Sequence, residues 1–189
     1  MTQIVDEFIE YFKNLPDAEK FKLGREFNEK TGGKLSQYNN PVNVMVGLIQ
    51  ILDDDESIKL LGVRRGIQPH VGGIALPGGF QEHMEEATVA VAREVLEETS
   101  LQTDPKDYVV FGNPVMSPTN NMLIFFKNQN IYPKSILKDL KLNSEVLEFV
   151  LIDEKTQLCF PLHDKVAKSF LVEESSVEEP VPSGKKKKF

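Results

Sequence analysis

Residues 79–101 read GFQEHMEEATVAVAREVLEETSL, and the chemistry of the chain is concentrated there. From Glu85 or Glu86 to Thr99 the residues form an uninterrupted run of helix-compatible types, which predicts a helix of about four turns. Within it Glu94, Glu97 and Glu98 stand at i, i+3 and i+4, so their carboxylates share one face and repel one another. All three lie in the carboxyl-terminal half, where the helix dipole disfavours anions by roughly 0.3–1 kcal/mol each. Ala87, Val89, Ala90, Val91, Ala92, Val95 and Leu96 are spread around nearly the whole circumference, a pattern expected of a buried helix with little solvated face. Such a cluster requires positive charge. Arg93 supplies one unit, which is too little for three acids. Oxygen-only ligands on a rigid helix suit a hard divalent cation, Mg²⁺ with Mn²⁺ as substitute.

Outward from this helix, a glycine- and proline-rich segment over residues 66–79 reads as a long loop with a short strand at Ile74-Ala75-Leu76. Before it, Val42 to Leu52 and Ile58 to Val63 are rich in Val, Ile and Leu and flank an acidic turn, Asp53-Asp54-Asp55-Glu56, so two strands are expected. After the helix come strands near Tyr108 to Val115 and Met122 to Lys127, and a short helix around Lys134 to Leu140. A strand near Val146 to Ile152 and a last helix from about His163 to Leu171 complete the domain. Val5, Phe8, Ile9 and Phe12, then Phe21, Leu23 and Phe27, recur at helical spacing around Pro16. They predict a helical hairpin over residues 1–39, with a dimerisation arm, and hence a homodimer, as the alternative. After Val172 the sequence turns to Glu, Ser, Pro, Gly and Lys, so residues 173–189 are expected to be a disordered tail.

The chain has 189 residues, 40% of them hydrophobic, enough for one sizeable core, here assigned to residues 40–172. Its 29 acidic residues outweigh 22 basic ones, a net charge of −7, and the only basic run is Lys185 to Lys188. A nucleic-acid partner is therefore not expected, and a polyanionic small molecule would need a bridging cation to approach. Cys159 is the single cysteine, which excludes an intrachain disulfide and a cysteine-built zinc site and fits a reducing cytoplasm. No apolar run is long enough to span a bilayer, and no amino-terminal export signal is visible, so a membrane partner is not expected.

With Gly79, Glu85, Arg93-Glu94, Val95, Glu97-Glu98 and Leu101 at their spacings, the chain resembles the Nudix hydrolase family. All but one of the positions that define that family's box match. The departure is Ser100, where the family has glycine to close the helix in a left-handed conformation. The resemblance implies an α/β fold, an α/β/α sandwich around a mixed curved sheet. It implies that Glu94, Glu97 and Glu98 hold metal ions, that the backbone at Gly78 and Gly79 approaches a metal, and that Arg93 pairs with Glu85 to brace loop against helix. A further carboxylate outside the box is expected to act as ligand or base, with Glu145 first and Glu148 second.

Asn40-Pro41, the Arg64 to Pro69 segment, Leu76 to Phe80 and Phe160 to His163 resemble the branch that cleaves ADP-ribose, NADH or FAD. With no zinc ribbon and no tryptophan, ADP-ribose is the first choice, split into AMP and ribose 5-phosphate. The other readings are an NADH or FAD pyrophosphatase, a hydrolase of capped RNA or nucleoside triphosphates, and a non-catalytic nucleotide sensor. Arg64 or Arg65 is a candidate contact to the substrate diphosphate, or else a strand-end surface residue. Phe80, Phe111, Phe125 and Phe126 are candidates for stacking on a base, against the more common role of core aromatics.

Overall fold

The computed structural model describes Glu19 and residues 40–176. The expected hairpin over 1–39 and the end of the tail lie outside the described residues. Eight strands form one mixed sheet: β1 (Val42–Leu52), β2 (Ile58–Arg65), β3 (Ile74–Ala75), β4 (Gly78–Phe80), β5 (Tyr108–Val110), β6 (Val115–Met116), β7 (Asn121–Pro133) and β8 (Val146–Ile152). Two α-helices accompany it, α1 (Ala87–Thr99) and α2 (Pro161–Ser176). Strand β1 is central. It pairs in parallel with β7 and antiparallel with β2 and β4, while β8 extends the sheet beyond β2 and β5 beyond β7.

Both faces of β1 are covered, which is why Met45 to Ile49 read as a continuous apolar run instead of an alternating one, and why even Gln50 after them is buried. On one face Met45, Ile49 and Ile51 pack with Ala90, Val91 and Val95 of α1. On the other, Val46 and Leu48 pack with Phe125 and with Ala167 and Phe170 of α2. This is the helix–sheet–helix layering expected from the sequence. Gly47 sets the spacing of the first layer, since a Cβ there would strike the Val95 side chain.

Several element boundaries differ from expectation. The strand read as Tyr108 to Val115 is interrupted, because Gly112 takes a positive φ of 67° and Pro114 follows it. Strand β7 continues to Pro133, and the segment after it is a 3₁₀ turn, Lys134–Lys138, in place of an α-helix. Strand β4 falls within the segment expected to be loop: its two glycines carry no strand signal, and its pairing with β1 is what makes it a strand. Helix α2 runs on to Ser176, and a Lys127–Glu174 ion pair of 2.5 Å ties its last turns to β7. Helix α1 is also not buried all round. Val89 and Leu96, one stripe along its outer side, are 40% and 45% exposed, so its apolar composition overstates its burial.

Candidate functional site

Helix α1 starts after Glu86, whose side chain makes no capping bond, and ends at Ser100 in the left-handed conformation with φ 59°. Ser100 thus adopts the geometry for which a glycine is preferred, and its N–H donates to Leu96 O at 2.8 Å. The strain has a local compensation, because Ser100 Oγ accepts a hydrogen bond from Lys141 N at 2.8 Å. The turn therefore stays in place, and with it the register of the acidic residues.

Arg93 is the centre of an ion network at the amino-terminal side of the site. Its Nε and Nη2 donate to the two oxygens of Glu85 at 2.9 and 3.0 Å, a bidentate pair. Nη1 donates to Glu94 at 2.8 Å and to Glu97 at 3.2 Å, and Nη2 also reaches Phe80 O at 3.0 Å. The loop before α1 is thereby fastened to the helix. These bonds hold the Glu85 carboxyl below its ordinary range and raise the Arg93 guanidinium further, so both remain charged. Glu94 moves the other way: burial raises it, against the bonds from Arg93.

Glu98 lies one turn further on and is only 9% exposed. Among the described residues its single donor is Gly78 N, at 3.0 Å. Burial, with the charges of Glu94 and Glu145 adding, pushes its carboxyl up to about 7 in spite of that bond. Gly78 and Gly79 are required by close packing. A Cβ at Gly78 would meet the β1 backbone at Met45, and one at Gly79 would meet the Glu94 carboxylate.

Glu94, Glu97 and Glu98 line a cleft of about 220 Å³ whose opposite wall is Asn143, Ser144 and Glu145. A larger cavity of about 280 Å³ lies against Lys59, Asp153 and Lys155 and contains none of these residues. Asn143 had no part in the sequence reading, yet it joins the two walls. Its Nδ2 donates to Glu97 O at 2.7 Å, and its Oδ1 accepts from Glu145 N and Val146 N at 2.8 and 3.0 Å. The only local signal was an Asn two residues before Glu145, a common turn former. Glu145 and Glu148 are separated by their partners: Glu145 lines the cleft, whereas Glu148 accepts from Arg64 Nε at 2.6 Å.

The two arginines diverge in the same way. Arg64 is held by Glu148 and by Gly72 O at 3.0 Å. Arg65 donates to Pro69 O at 2.9 Å and lies over the Phe160 ring, and its charge is felt at Glu98. Phe125 and Phe126 are core residues at 1% and 2% exposure, and Phe111 packs edge-on against Phe170. Phe80 alone of the four aromatics is open, at 57%.

The donor set suits a hard divalent ion: Glu94, Glu97 and Glu98 each commit one oxygen to a protein donor, and the other accepts nothing among the described residues. Among those residues no three His, Cys, Asp or Glu side chains form a ready coordination shell. Arg93 draws Glu94 and Glu97 toward itself, so Glu97, the most exposed of the three, would have to turn to meet an ion.

Comparison with known proteins accords with this geometry. An ADP-ribose pyrophosphatase of Methanocaldococcus jannaschii is 28% identical over 154 residues, covering 79% of this chain and 87% of its own. Among solved structures, a NUDIX hydrolase from Nitrosomonas europaea is 25% identical with a TM-score of 0.50, over 76% of this chain and 77% of that one. The NUDIX domain of Shewanella oneidensis NrtR, solved with ADP ribose, is 16% identical with a TM-score of 0.54, over 77% of this chain and 97% of that one. Among the described residues no helix is long and apolar enough to cross a membrane. The sequence profile of the NUDIX domain matches residues 41–165, most of the chain and all of the acidic cleft, and the chain belongs to the Nudix hydrolase family.

Proposed function

We propose that this chain is a Mg²⁺-dependent pyrophosphohydrolase that splits ADP-ribose into AMP and ribose 5-phosphate. The observation that carries the reading is the acidic cleft itself: three carboxylates on one helix face, one of them buried against a lone N–H, with a fourth across the gap. A bound divalent ion would neutralise diphosphate oxygens and lower the pKa of water at the site. Glu94, Glu97 and Glu98 would hold it, with Mn²⁺ able to replace Mg²⁺. Arg93 and Glu85 keep the loop at Gly78 and Gly79 pressed on the helix. Glu145 takes the proton of the water that attacks phosphorus in line, and the P–O–P link breaks toward the leaving phosphate. Arg65, free of any carboxylate partner among the described residues, is the better candidate than Arg64 for contact with the diphosphate. The choice of ADP-ribose rests on the resemblance to the branch that cleaves it and on the similarity to the archaeal pyrophosphatase.

The test is turnover of a substrate panel comprising ADP-ribose, NADH, FAD, capped RNA and nucleoside triphosphates. ADP-ribose is expected to be cleaved fastest and only with Mg²⁺ or Mn²⁺. Glu98→Gln and Glu94→Gln are each expected to lower kcat by about 10³-fold. Undiminished turnover by both variants would remove these roles, and preference for another member of the panel would replace the substrate.

A further inference from the structure

The carboxylate that faces α1 across the cleft is carried by an exposed turn, yet the backbone of that turn is held from two sides. Asn143, two residues before Glu145, accepts from Glu145 N and Val146 N through Oδ1, which bends the chain at the entrance of β8. Its Nδ2 donates at 2.7 Å to Glu97 O, one of the carbonyls that a helix end leaves without an intrahelical donor, and so hangs the turn on α1. Lys141 N, bonded to Ser100 Oγ, fastens the same segment to the same helix end. From the other side Gly66 N donates to Glu145 O at 2.6 Å. Gly66 has no room for a side chain: a Cβ there would come within 2.7 Å of Ser144 O and 3.2 Å of Glu145 O. Between these holds the ladder of β2 with β8 slips by one residue. Arg64 is opposite Glu148 and Arg65 is opposite Val146, so Leu147 has no partner. A bulge of this kind re-aims the neighbouring residues of its strand.

We infer that Asn143 and Gly66 are positioning residues, which fix the backbone of Glu145 so that its carboxylate stays opposite Glu94 and Glu98. Both backbone polar groups of Glu145 are bonded, while its carboxylate accepts no hydrogen bond among the described residues and lines the cleft. Glu148 has the reverse arrangement, its carboxylate being taken by Arg64. A group that accepts a proton must stand within hydrogen-bond reach of its water, and a misplacement of about 1 Å costs up to about 10²-fold in rate. Neither Asn143 nor Gly66 offers the reaction a group of its own, so both act through Glu145. The inference rests on the proposed role of Glu145 as proton acceptor, but the hold on its backbone is measured without turnover.

Amide hydrogen exchange of the metal-free protein, followed by NMR, reads that hold directly. The N–H groups of Glu145 and Val146 are expected to exchange about tenfold faster in Asn143→Ala than in the parent. Asn143→Asp keeps their acceptor and removes only the donor to Glu97 O, and is expected to leave them slow. In turnover, Asn143→Ala and Gly66→Ala are each expected to lower kcat about 30-fold with KM altered less than about threefold. In a Glu145→Gln background the same two substitutions are expected to change kcat less than about twofold, because a positioning residue then has nothing to act through. A full loss in that background would make Asn143 and Gly66 supports of the cleft as a whole and overturn the inference. So would unchanged exchange in Asn143→Ala, or an unmoved kcat in both single variants. Faster exchange in a protein that hydrolyses no member of the substrate panel would keep the hold on Glu145 and discard the reaction.

Discussion

Glu94 and Glu98 lie one helical turn apart on α1 and have contrasting surroundings. Glu94 belongs to a closed ion network in which Arg93 also holds Glu85, Glu97 and the Phe80 carbonyl. Glu98 is the more buried of the two and has one backbone N–H for company. In the first arrangement Arg93 already supplies a cation to one oxygen of the carboxylate and leaves the other open. The second leaves a desolvated carboxylate that a cation would satisfy. The contrast separates a brace from a binding group on a single helix, and it predicts opposite signs for two substitutions.

Removing the brace has the larger effect. Arg93→Ala strands the half-buried carboxylates of Glu85 and Glu94 without their partner, and unfolding free energy is expected to fall by roughly 3–5 kcal/mol. Chemical denaturation of metal-free protein measures it. A loss below about 1 kcal/mol would mean that solvent screens the network and that the brace is ornamental to the fold.

Removing Glu98's charge should do the reverse. Its folded pKa, about 7, stands above the ordinary 4.5, so the fold keeps a proton that the unfolded chain has lost. Stability from this group is therefore present below pH 4.5 and lost as pH rises through 7. His163 opposes it. Burial, aided by the charge of Arg65, holds its pKa at about 4 against an ordinary 6.5, so its contribution is present above pH 6.5 and lost as pH falls through 4. Between the two the slopes offset each other and conceal the Glu98 term in the parent protein. The difference between Glu98→Gln and the parent isolates it. That difference is expected to be near zero below pH 4.5, growing to about 3 kcal/mol in favour of the variant above pH 7, in metal-free buffer. Added Mg²⁺ should stabilise the parent and leave the variant where it was. A flat difference curve would show that Glu98 is better solvated than its burial indicates.

The same contrast bears on what could be read from residues alone. The glutamates' shared face follows from spacing, because i, i+3 and i+4 relations are intrahelical and need no tertiary information. Strands β1 and β2 were legible in their apolar runs, whereas the helix–sheet–helix layering was implied by the family resemblance and not by the periodicity of the helices. What was not legible depends on partners distant in sequence. Val89 and Leu96 look like core residues until the sheet chooses which side of α1 to cover. Arg64 and Arg65 are equivalent by composition, and it is the register of β8 that puts Glu148 beside Arg64. Asn143 joins the walls of the cleft through a bond spanning 46 residues. Strand β4 exists because β1 offers it a partner, and its glycines exist because α1 and β1 crowd it.

The smallest effect tests the far end of the helix, where the brace and the buried acid both depend on the turn at Ser100. Serine in the left-handed region costs about 1 kcal/mol relative to glycine, and the hydrogen bond that its hydroxyl accepts from Lys141 N contributes about the same amount. Ser100→Gly exchanges one for the other, so its stability is expected to lie within about 0.5 kcal/mol of the parent. Ser100→Ala keeps the strain and loses the bond, and is expected to cost about 1 kcal/mol more than glycine. Thermal or chemical denaturation of the two variants side by side separates the terms. If alanine and glycine behaved alike, the left-handed strain would be negligible; if alanine matched the parent, the bond from Lys141 N would not be what holds the turn above the acidic cleft.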